Sequence, residues 1–129
     1  MSIKKTGDKW GDKEILPFSG KYNDIEPFFT VDGTKLFFSS NRPMGEDSTR
    51  SDYNIWYVEQ ENGKWKTPIA LDSIVNSPGD EFFPSVSSNG NLYFTATREN
   101  GIGREDIFVS TFSKDKYDVA VPLDSAINT

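Results

Sequence analysis

"DIEPFFTVDGTKLFFSSNR" runs from Asp24 to Arg42, and "GDEFFPSVSSNGNLYFTATR" from Gly79 to Arg98. Pro27 matches Pro84 and Gly33 matches Gly90, both at an offset of 57. Past that turn the first copy carries one more residue, so Leu36, Phe38 and Arg42 match Leu92, Phe94 and Arg98 at 56. The segment after Arg42 is longer by four than its counterpart after Arg98, and beyond it Ile55 and Trp56 match Ile107 and Phe108 at 52. The copies differ in their loops and agree in their apolar runs.

A third element recurs at 52. "WKTPIALDSIVNS" from Trp65 to Ser77 lines up with "YDVAVPLDSAINT" from Tyr117 to Thr129, sharing Leu, Asp, Ser and Asn. A weaker first copy is "WGDKEILPFSG" from Trp10 to Gly20. Self-similarity at a period of about 50 residues marks a repeat architecture.

Each unit reads as four strands. The first is "EFFPSVS", whose proline is tolerated near a strand start or edge. "SSNG" and "TVDG" are hairpin signals, with Asn-Gly or Asp-Gly supplying positive φ. "NLYFTAT" and "KLFFSSN" are nearly continuous apolar runs, as in a strand covered on both faces. "DIFVSTF" and "NIWYVEQ" supply the third, and "YDVAVPL" and "WKTPIAL" the outer fourth. The expectation is an all-β chain of antiparallel four-stranded propeller blades, at residues 24–72 and 80–124. Residues 1–20 form an N-terminal segment with a partial outer strand.

The pattern P-x-x-(S/T)-x-(D/N)-G, then L-x-F-(S/T)-x-x-R, then (D/N)-I-(W/F), resembles the WD40-like propeller repeat of bacterial envelope proteins, the type found in the propeller domain of TolB. The resemblance covers Asp24 to Ser110, and the outer strands extend it to Thr129. It implies a non-enzymatic binding or scaffold module for protein or glycan partners in the periplasm or cell envelope. The competing class is a propeller-containing hydrolase whose catalytic residues lie outside this segment. A propeller fold by itself assigns no chemistry.

A closed propeller takes about four to eight blades, and two would expose an inner edge and two aromatic faces. Three arrangements answer this: a piece of a larger propeller, a homo-oligomer that completes a ring, or a small sandwich-like monomer. The sequence stops at "DSAINT", where the preceding unit runs straight on into "PGDEFFP".

The 129 residues suffice for one domain with a core of its own. Aromatic residues are 14% of the chain, and Gly and Pro together number 17 (10 and 7), a balance that favours pleated sheet cut by turns. Lys and Arg total 14 against 20 Asp and Glu, so phosphate backbones are repelled and no nucleic-acid partner is expected. The chain has no Cys and no His, which removes thiol chemistry, imidazole metal ligands and a Ser-His-Asp nucleophile together. The start lacks the apolar core of a secretory signal, and no apolar run reaches the roughly 20 residues of a membrane helix. No membrane insertion, cofactor or catalytic residue is expected.

Four charges stand where antiparallel pairing brings strand ends together: Glu26 and Glu81 on the first strands, Arg42 and Arg98 closing the second. They read as intrablade ion pairs, or alternatively as groups facing a carboxylate or phosphate ligand. Ungapped alignment places Glu81 on Asp24 and Glu26 on Phe83, so the two acids need not be equivalent. Glu46, Asp47 and Asp52 in the first insertion match no recognised calcium loop, and with Arg104, Glu105 and Asp106 they read as solvated loop residues. "SVSSNGNLYF" resembles the sialidase Asp-box only loosely. Trp65 shares a repeat position with Tyr117 and Trp56 with Phe108, which points to packing between blades more than to sugar stacking.

Overall fold

The computed structural model describes residues 1–45 and 51–129. Every regular element among them is a strand. A hairpin, β1 (Ser2–Thr6) and β2 (Lys9–Glu14), comes first. The first large sheet is an antiparallel meander of β3 (Asp24–Phe29), β4 (Lys35–Ser40) and β5 (Asn54–Glu61). It continues through β6 (Lys64–Trp65) and β7 (Ile69–Ala70), both paired with β5. The second is β8 (Glu81–Val86), β9 (Leu92–Ala96), β10 (Asp106–Ser110) and β13 (Val121–Pro122), in that spatial order. A separate hairpin of β11 (Phe112–Ser113) and β12 (Lys116–Tyr117) follows β10, at the repeat positions where the end of β5 pairs with β6. All pairings are antiparallel, and both sheets follow one strand order.

The fourth strand departs from the sequence reading. In each unit it is broken into two-residue pieces, β6 and β7 in the first, β12 and β13 in the second, where only β13 joins the large sheet. Pro68 separates the first pair; without an N–H it cannot continue the ladder. The third strand of the second sheet also stops at Ser110, and the chain resumes pairing only at Phe112. Trp10 lies in β2, which pairs with β1 and joins neither large sheet; its ring is 67% exposed, beneath the ammonium of Lys5 at 5.6 Å.

Pro27 and Pro84 shape the first strands in the same way. The register slips between Ile25 and Phe28 and between Phe82 and Ser85, and the residue before each proline is left-handed, Glu26 at φ 54° and Phe83 at φ 53°. Proline withholds a ladder donor, so the strand bulges there. The hairpin turns close on Gly33 (φ 69°) and Gly90 (φ 89°), conformations that glycine adopts without steric cost. Each turn is fastened by a 3.0 or 2.9 Å backbone bond, Thr30 N–H to the Lys35 carbonyl and Ser87 N–H to that of Asn91.

One core lies between the sheets. Phe37 and Ile55 of the first, with Leu71 and Val75 of the segment linking the sheets, meet Leu92, Phe94 and Phe108 of the second and Ala120 just before β13. Another covers the far face of the first sheet: Leu36, Phe38, Trp56 and Val58 pack against Leu16, Phe18, Trp65 and Ala70. Consecutive residues of β4 therefore feed opposite cores, which explains its continuous apolar run "LFF".

Candidate functional site

Arg98 and Glu81 meet where β9 ends beside the start of β8, with Nη2 2.9 Å from Oε1. Glu81 is 0% exposed. Its Oε1 also accepts from the N–H of Ser77 at 3.0 Å and from the Ser77 hydroxyl. Arg98 donates further to the Val75 carbonyl, and its guanidinium lies over the rings of Phe94 and Phe108 at 5.0 and 4.9 Å. Burial pushes the Glu81 carboxyl above its ordinary range, while the Ser77 donors and Arg98 pull it back.

Arg42 takes the same place in the first sheet, but its acid is Asp24, at 2.6 Å, and not Glu26. Asp24 also accepts from the hydroxyls of Ser19 and Ser40, each at 2.7 Å. Arg42 donates to the Phe18 carbonyl at 3.2 Å and lies against Tyr22, Phe38 and Trp56. The ungapped alignment carried this signal, since it set Asp24 on Glu81. Glu26 falls on the bulge, where its side chain crosses between sheets: Oε2 accepts from the Phe83 N–H at 2.6 Å and from the Ser39 hydroxyl at 3.4 Å. Arg42 is 8% exposed. Both arginines are thus committed to protein acceptors and aromatic faces, and they hold each sheet to the segment that precedes it.

Asp106 is likewise not solvated. It is 2% exposed and accepts from the N–H groups of Ile102 and Gly103, at 2.5 and 2.9 Å. A Cβ on Gly101 would lie 2.3 Å from its carboxylate, so glycine is needed for the loop to wrap this acid. Arg104 and Glu105 are exposed. Glu46 and Asp47 lie outside the described residues. Among the described residues no group of three or more Asp and Glu is gathered as a metal site would require.

Two asparagines serve as clamps. Asn76 accepts from Ile55 N–H at 2.7 Å and donates to the carbonyls of Ile55 at 3.0 Å and Leu71 at 2.7 Å. Asn128 repeats this on Ile107 at 2.9 and 3.1 Å and on Leu123 at 2.9 Å. Each amide extends the edge of the third strand beyond the short fourth strand. Their shared place in "DSIVNS" and "DSAINT" was the available signal.

An open groove of about 750 Å³ separates the two sheets at their turn end. Phe37 and Tyr57 wall one side, Val86, Phe112 and Tyr117 the other, and Leu71 lies between them. Asp32, Lys35, Asp72, Asp115 and Lys116 stand around it. Phe112 and Tyr117 contact one another at 5.0 Å between ring centroids, and Phe112 also presses against the Gly90 turn, where a Cβ would meet it at 3.0 Å. Burial, and next the neighbouring Tyr57, push the Tyr117 phenol up to about 12. Asp32 is fixed by the Thr30 hydroxyl at 2.6 Å and by Thr34 N–H and hydroxyl at 3.0 and 2.9 Å, which lower its pKa to about 2. The size and the mixture of aromatic wall with a few polar groups suit a bound ligand segment. Sequence reasoning missed the groove because its walls come from five separate stretches brought together by strand pairing and sheet-on-sheet packing.

A scan against protein-family models and a search of curated proteins found no match to this chain.

Proposed function

We propose that this chain is a non-enzymatic binding module built of two propeller-type blades, which takes a protein or glycan segment of the bacterial envelope in the groove between its sheets. The observation that carries the reading is that groove, about 750 Å³ with aromatic walls and a charged margin. The two tyrosine hydroxyls there offer hydrogen bonds to a polar ligand while their rings offer apolar contact. The blade assignment is supported by the common strand order of the two sheets and by the spacing of "P-x-x-(S/T)-x-(D/N)-G" in both copies. The envelope location comes from the sequence resemblance alone. The acids nearest to arginines serve the fold, which favours binding over hydrolysis: neither Glu81 nor Asp24 is presented to a substrate. A homo-oligomer or a longer chain would complete the ring.

The test is to probe arrays of bacterial envelope glycans and peptides with the wild-type chain and with the Tyr57→Phe/Tyr117→Phe double variant. These substitutions remove only the hydroxyls and leave the walls packed. Binding that weakens at least tenfold in the variant supports the groove as the site. Equal binding by both, or cleavage of the bound glycan, overturns the reading.

A further inference from the structure

Each large sheet is preceded by a segment that packs on it, and the two segments make the same contacts. Val75 is 0% exposed against the Phe94 and Phe108 side of the second sheet, and its carbonyl accepts from Arg98. Phe18 packs on the equivalent side of the first sheet, stacked on Phe38 at 5.6 Å, and its carbonyl accepts from Arg42. Ser77 and Ser19, just beyond, donate to Glu81 and Asp24 respectively. Residues Leu16–Ser19 therefore fill on the first sheet the slot that Leu71–Ser77 fill on the second.

A third segment of the same kind follows the second sheet, and among the described residues no sheet packs on it. Leu123 and Ile127 stand 52 residues after Leu71 and Val75, and Asn128 clamps this segment as Asn76 clamps the other. Val75 is buried, but Ile127 is 57% exposed. Behind it, Tyr93 and Ile107 occupy the positions of the buried Phe37 and Ile55 and are only half-buried. The outer face of the second sheet thus keeps the apolar pattern that the inner face of the first uses to bind a sheet.

We propose that this face docks a second copy of the chain head to tail, and that residues 1–20 of the acceptor copy are a plug that must leave the slot first. The match is one of continuity with the contact inside the chain. Ile127 of one copy takes the place of Phe18 against Phe38 and Trp56 of the other, and its carbonyl becomes the acceptor for Arg42. One slot has two claimants, so the N-terminal segment limits assembly by competition within its own chain. Such a contact is heterologous: it leaves a free donor face on one end and a plugged slot on the other, and repeated docking extends until a ring closes.

Sedimentation velocity of the full chain and three variants tests this. Phe18→Ser weakens the plug and should bring on oligomers at a concentration at least tenfold lower than the wild type needs. Ile127→Asp, at an exposed site, should keep the chain folded and monomeric, and in the Phe18→Ser background should restore the monomer. Oligomers that survive Ile127→Asp overturn the proposal, as does a folded Phe18→Ser chain that associates no more than the wild type. Hydrogen exchange of the wild type supplies a readout that does not depend on how Phe18→Ser folds. The amides of residues 16–19 should exchange faster as the concentration rises a hundredfold; exchange that does not change contradicts displacement of the plug.

Discussion

Replacing Arg98 by methionine would leave Glu81 at 0% exposure without its counter-charge. Removing one partner of a buried ion pair costs about 3–5 kcal/mol, because the other charge stays desolvated. The Val75 carbonyl loses a donor as well, about 1 kcal/mol. Methionine keeps the rings of Phe94 and Phe108 covered, and its sulfur contacts with them return roughly 0.3–1.5 kcal/mol. The net loss should be about 3–5 kcal/mol at neutral pH, read by urea unfolding. For a domain of this size the melting temperature should fall by roughly 10–20 °C. The double variant Arg98→Met/Glu81→Leu should recover at least half of the loss, since an apolar pair of similar volume replaces the ions; the orphaned Ser77 N–H prevents full recovery. The pH dependence has a definite sign. Burial already raises the Glu81 pKa above its ordinary 4.5, and without Arg98 nothing offsets that push except Ser77. Between the ordinary and the raised value the folded chain holds a proton that the unfolded chain has lost, so stability falls as pH rises through that window. The gap between Arg98→Met and wild type should therefore narrow as pH is lowered from 7 to 4.5. A loss below about 1 kcal/mol, a gap that does not change with pH, or a double variant no more stable than the single would refute this account of the pair.

Asn76→Ala removes three buried hydrogen bonds, two to Ile55 of β5 and one to the Leu71 carbonyl, and should cost about 2–4 kcal/mol in urea unfolding. Glu26→Ala frees the Phe83 N–H at the bulge and should cost about 1 kcal/mol, with Glu26→Gln, which keeps an acceptor, costing less than half of that. Asp32, whose folded pKa is lowered, contributes stability that is present above its ordinary 3.8 and lost as pH falls through about 2; carboxyl-carbon NMR should show it titrating at about 2 and moving back toward 3.8 in a Thr30→Val/Thr34→Val chain.

Much of the sheet order was legible because the two copies of "P-x-x-(S/T)-x-(D/N)-G" share their spacing, and turns at Gly33 and Gly90 leave the chain little choice but adjacent antiparallel strands. The outer strand was read as continuous because apolar alternation does not register a missing donor, and Pro68 breaks the ladder whatever its neighbours prefer. The pairing of Arg98 with Glu81 followed from register alone. That of Arg42 with Asp24 did too, once Glu26 is placed on the bulge, where a left-handed residue turns its side chain toward the neighbouring sheet. Asp106 looked like a solvated loop acid because the backbone N–H groups it caps belong to residues in no regular element. The groove was out of reach: Tyr57 and Tyr117 are 60 positions apart, and nothing in either local pattern says which sheet face meets which.

The account rests most heavily on the groove as a site of binding without turnover. The most direct measurement is an NMR titration of the ¹⁵N-labelled chain with the tightest-binding envelope glycan or peptide from the array, with the ligand's own spectrum followed for cleavage. The expected result is a saturable shift of amides at Thr30–Lys35, Tyr57 and Phe112–Tyr117, with the ligand intact. Shifts confined to other surfaces, or products of hydrolysis, would contradict it.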